Sequence, residues 1–158
     1  MQIPSLAEIK KELSYLDKKE LTDLVLELSK FSRDNKGFLF FKLVDRDQPG
    51  LFLEMVKEEL DQAFMDANIK NYHLAKKSAQ TIRRKLNKNL KLSKNKEAHV
   101  ELILYFCSQL KRYGFLAFRH PVIDNLYKVQ LGKAEKLIEK LHEDLQYDFQ
   151  NQLEELKE

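Results

Sequence analysis

Residues 72–90 read YHLAKKSAQTIRRKLNKNL. Within them Tyr72, Ala75, Ala79, Ile82, Leu86 and Leu90 recur three or four residues apart, the spacing that lines up side chains along one stripe of an α-helix. Such a stripe is dry only when it is stacked on another apolar surface. The stretch therefore predicts a helix from about Asn71 to Leu92 and, with it, further helices to pack against.

Those neighbours are legible on both sides. Upstream, Ser5 and Glu8 have the spacing of a capping box after Pro4, followed by Leu6, Ile9, Leu13 and Leu16; Asp17 and Glu20 repeat the device before Leu21, Leu24, Val25, Leu28 and Phe31. Two capped helices joined this closely predict a tight hairpin or corner. Asn35 is placed to cap a short buried helix through Phe38, Phe40, Phe41, Leu43 and Val44, ending before the turn Asp47-Gln48-Pro49-Gly50. A buried strand is the other reading of this Phe-rich run, but nothing else in the chain could pair with it. A fourth helix carries Phe52, Met55, Val56, Leu60, Phe64 and Ala67 inward and turns Glu54, Glu58, Asp61 and Asp66 mostly away.

Downstream, a helix from Glu97 to Tyr113 is apolar nearly all round between Val100 and Cys107, which marks it as the most enclosed, and Gly114 suits the position after its end. Pro121 then opens a pattern that runs through Tyr127, Leu131, Ala134, Ile138, Leu141, Leu145, Phe149 and Leu153 to Leu156. This is one long helix, or two joined at Gly132. Unbroken, it would be about 54 Å long at 1.5 Å per residue, longer than a small domain is wide. It is expected to lie across the earlier helices rather than to project and pair with a second copy. The fold expected is all-α, about seven helices in stacked antiparallel pairs, an irregular helical array or a short α-α superhelix with a long C-terminal helix.

The totals agree with this. A chain of 158 residues fits one domain, residues 1–158, and 34% charged residues exceed the ordinary share of about 25%. No apolar run is long enough to span a membrane, and residues 1–20 lack the apolar stretch of a secretory signal. The lone Cys107 lies in an apolar run, which excludes an intrachain disulfide and makes the cytoplasm the expected compartment.

Charge is distributed unevenly. Between Lys70 and Lys96 lie ten basic residues and no Asp or Glu, which leaves 18 bases against 25 acids elsewhere, a net of −7. On a helical wheel Lys77, Arg84, Lys88 and Lys91 fall within about 60° of one another, opposite the apolar stripe, and form a basic ridge. Like charges one turn apart weaken a helix by a few tenths of a kcal/mol. The ridge is read first as balanced by the acidic helices of the same molecule or by solvent, next as a contact for an acidic protein, and last as a nucleic-acid contact. Against nucleic acid, it carries no aromatic to stack bases and no Asn or Gln arranged for base edges.

Catalytic and metal chemistry find little support. Glu139 and His142 make a single Glu-x-x-His pair where a di-iron bundle needs two and further Glu residues. His73, His99 and His120 share no ligand spacing, the four glycines stand singly, and Cys107 is read as core packing. No catalytic residue, metal or cofactor is assigned. Tyr147 and Phe149 would be exposed if the last helix projects, and they are then the candidate contact for a protein partner or a homodimer; packing of both rings on the first two helices is the reading placed ahead of it.

The stretch from Ile9 to Lys30, IKKELSYLDKKELTDLVLELSK, together with KGFL from Lys36 and YHLAKKS from Tyr72, resembles small all-helical bacterial proteins classed as a domain of unknown function. The resemblance implies a helical fold and a bacterial origin and brings no activity, cofactor or site residue. The function expected is a non-enzymatic protein–protein interaction module, with a nucleic-acid-associated protein using residues 70–96 as the alternative.

Overall fold

The computed structural model describes residues 2–158, and all regular structure among them is helical: eight α-helices and one 3-10 turn. The chain divides into two compact units, one up to Leu43 and one of Val44–Glu158, the division falling inside a helix.

In the first unit α1 (Leu6–Leu13), α2 (Lys18–Phe31) and α3 (Arg33–Asp47) follow one another closely. Both predicted capping boxes form. The Ser5 N–H donates to Glu8 Oε2 at 2.7 Å and the Glu8 N–H returns to Ser5 Oγ at 3.4 Å; the Asp17–Glu20 pair closes the same way at 2.8 Å in each direction. The start of α3 is earlier than expected. Ser32, not Asn35, caps it, its Oγ accepting from the Asn35 N–H at 3.0 Å, while the Asn35 side chain donates to the Leu28 carbonyl at 2.9 Å. The Phe-rich run is helical, but it is not buried. No residue of α1, α2 or α3 is buried, and these three helices share no extended packed face with one another.

The second unit holds the core. Its elements are α4 (Leu51–Met65), α5 (Tyr72–Leu90), α6 (Lys96–Arg112), a 3-10 turn at Phe115–Phe118, α7 (Pro121–Ile138) and α8 (Glu143–Lys157). Helix α6 packs against α4, α5, α7 and α8, and Val100, Leu102, Ile103, Leu104, Phe106 and Cys107 are all buried, as a run apolar nearly all round required. Gly50 (φ 94°) before α4 and Gly114 (φ 79°) after α6 occupy left-handed conformations that a side chain would disfavour.

The long C-terminal helix is not continuous, so there are eight helices rather than seven. The break does not fall at Gly132, which lies inside α7, but at residues 139–142. There the Lys140 and Leu141 N–H groups reach back only three residues, at 3.0 and 2.9 Å, and His142 is extended (ψ 147°) with Nδ1 accepting from the Asp144 N–H. Gln146 Nε2 closes the turn on the Leu141 carbonyl at 2.8 Å. Helix α8 folds back onto α6 and α7, where the Tyr127 hydroxyl donates to the Leu156 carbonyl at 2.6 Å and Lys157 pairs with Glu135 at 2.9 Å.

Candidate interaction surfaces

Helix α5 is started by Asn71, whose Oδ1 accepts from the Leu74 N–H at 3.0 Å, and is held in place by buried Ala75, Ala79, Ile82 and Leu86. That orientation fixes the opposite side. Lys77, Arg84, Lys88 and Lys91 are all exposed. Lys88 lies in the last turn and Lys91 at the C-cap, where the helix dipole favours positive charge and offsets part of the repulsion between neighbours. Arg84 Nε donates to the Gln80 carbonyl of its own helix at 3.3 Å.

One flank of the ridge meets acidic α4. Lys85 pairs with Glu59 at 3.5 Å, and the other Glu59 oxygen accepts from Asn89 Nδ2 at 2.8 Å. Lys77 and Lys85 border a shallow cleft of about 530 Å³ whose α4 side carries Glu59 and Asp66. Glu59 and Asp66 thus sit along this flank of α5, whereas Asp61 of α4 accepts from the Tyr105 hydroxyl of α6, and the crest of the ridge faces outward.

The Tyr147 and Phe149 pair is split. Two residues on a helix are 200° apart, so when α8 folds back one ring must turn in as the other turns out. Tyr147 is 72% exposed and Phe149 only 7%, on the floor of a groove between α6 and α8. Phe149 would be exposed only on a projecting helix, and α8 does not project. That groove was not foreseen, because it exists only once the chain reverses at residues 139–142.

The other chemical candidates have structural duties. Glu139 closes α7 and His142 opens α8, so the Glu-x-x-His pair does not share a helix face. His120 caps α7, accepting from the Val122 N–H at 3.2 Å, and stacks on Tyr72 at 4.9 Å between ring centres. His99 Nε2 lies 2.7 Å from the Ser93 carbonyl. Cys107 is buried, and burial pushes its thiol up to about 12, so it is protonated at neutral pH. Burial first, and then the neighbouring Cys107, likewise raise Tyr127 to about 12. Among the described residues no three His, Cys, Asp or Glu are grouped to hold a metal ion, and no helix is long and apolar enough to cross a membrane.

No family model, curated protein or solved structure matches this chain.

Proposed function

We propose that the chain is a non-enzymatic helical module that binds another protein through the apolar sides of α1–α3. The observation that carries this reading is the exposure of Leu24, Val25, Leu28 and Phe31 on α2 and of Phe38, Phe40 and Leu43 on α3. Covering a side chain of this size gains about 1.5–3 kcal/mol, and contiguous exposed apolar surface is characteristic of interaction sites. The amphipathic pattern is kept, complete with caps, on helices that bury nothing themselves.

A photo-reactive residue at Phe31, compared with one at the exposed Lys133 of α7, tests it in extract of the source cell. Protein adducts should form at position 31, be absent at 133, and disappear when Leu24 and Leu28 are both changed to Lys. Equal labelling at the two positions would sink the reading.

A second reading, association with nucleic acid, is favoured by the exposure of all four ridge side chains. Engagement of about four phosphates on duplex DNA gives a log–log salt slope near −3.6. Gel shifts at two salt concentrations measure it, beside a variant with Lys77, Arg84, Lys88 and Lys91 changed to Glu. Identical migration of wild type and variant rejects this second role.

A further inference from the structure

We infer that the groove between α6 and α8 receives one helix of a partner protein, an amphipathic helix whose apolar stripe is flanked by Lys or Arg. No residue that lines the groove belongs to α1–α3, so the inference stands or falls apart from the reading above.

The geometry comes from the reversal at residues 139–142. Because α7 runs back along α6 and α8 reverses again, α6 and α8 point the same way; Lys111, near the end of α6, donates to the Glu155 carbonyl near the end of α8 at 3.4 Å. The cleft between them has a volume of about 580 Å³. On α6 it is lined from Glu97 to Ser108 and on α8 from Leu145 to Leu156. At 1.5 Å per residue each edge is about 17 Å long, three turns of helix. The lining positions recur every three or four residues on both helices, which is how two helices present a seam to a third.

The floor is mixed, with Tyr105, Ser108 and Gln152 beside the apolar side chains. Leu104 and Phe149 are buried beneath it, and Leu145 and Leu156 are half-buried at its ends. The rim decides the occupant. Glu97 and Glu101 stand on the α6 side and Asp148 and Glu155 on the α8 side, against a single lining base, Lys57, which is held by Glu101. Acids on both banks of the channel select a helix with bases on both sides of its stripe and reject one bearing acids, since like charges brought together cost affinity and slow the encounter.

The test uses the full chain and two synthetic helical peptides with Leu at every third or fourth position, one with Lys and one with Glu beside the stripe, followed by fluorescence anisotropy at low and moderate salt. The Lys peptide should bind about tenfold or more tightly than the Glu peptide, with the difference shrinking as salt rises. Glu97→Lys with Asp148→Lys should reverse the preference, and Ser108→Trp, which fills the floor, should abolish binding of both peptides in a protein whose thermal unfolding is unchanged. Leu24→Lys with Leu28→Lys on α2 should leave binding intact. Equal affinity for the two peptides, a preference that survives the double charge reversal, or binding lost in the α2 variant but kept in Ser108→Trp would each overturn the proposal.

Discussion

Phe64→Ala should cost about 3–5 kcal/mol of folding stability, whereas Phe31→Ala should change it by less than about 0.5 kcal/mol. Phe64 is 1% exposed and joins α4 to α6 and the 3-10 turn: its ring stacks on Tyr113 at 5.4 Å and meets Phe106 and Phe115 at 5.8 Å. Removing it deletes the transfer free energy of a whole ring and leaves a cavity that three other aromatics cannot collapse into without leaving their own rotamers. A domain of this kind is stable by about 5–15 kcal/mol, so the loss is a large fraction of the total. Phe31, at the end of α2, is 88% exposed and has no comparable packing to lose. Urea unfolding of both variants measures the contrast. A loss at Phe31 matching that at Phe64 would mean that α2 is covered in solution, which would displace the reading of α1–α3 as an open binding surface.

The same two residues show what hydrophobic periodicity can and cannot reveal. Spacing identifies a stripe, and it did so equally for Leu24, Val25, Leu28 and Phe31 on α2 and for Ala79, Ile82 and Leu86 on α5. The first set is exposed and the second buried, because coverage depends on distant segments that the local pattern does not contain. The Val100–Cys107 run was informative for the opposite reason: a helix apolar nearly all round needs neighbours on most sides, and α6 packs against four other helices. The break at residues 139–142 was hidden because Ile138, Leu141, Leu145 and Phe149 stay in helical phase through it. Its one local sign is the acidic pair Glu143-Asp144 after His142, which suits a new first turn. The 3-10 turn at Phe115–Phe118, between the left-handed Gly114 and Arg119, carried too few residues to show a period. Of the sites, the ridge was legible because opposite faces of one helix are fixed by the helix itself. The α6–α8 groove was not, since its acids and its floor come from helices more than thirty residues apart in sequence.

Gln130→Met should raise stability by about 1–3 kcal/mol, although it removes a polar group rather than adding a contact. Gln130 projects from α7 into the core with 0% exposure, and neither Nε2 nor Oε1 has a hydrogen-bond partner among the described residues. An amide taken out of water without replacement bonds costs about 1–3 kcal/mol, whereas Met keeps the unbranched shape and fills a similar volume with apolar atoms. Asn89 supplies the opposite case. It is almost as buried, but its Nδ2 donates to Glu59 beneath the flank of the basic ridge, so Asn89→Leu should lose about 0.5–1.5 kcal/mol with that hydrogen bond, the half-exposed Glu59 keeping Lys85 as its partner. Denaturant midpoints for the two variants, referred to wild type at the same slope, give both signs in one experiment. If Gln130→Met instead loses stability as Asn89→Leu does, the Gln130 amide is hydrogen-bonded in solution and α7 is seated against α6 in a different rotation. That outcome would also move Tyr127, and with it the anchor that holds α8 along the groove.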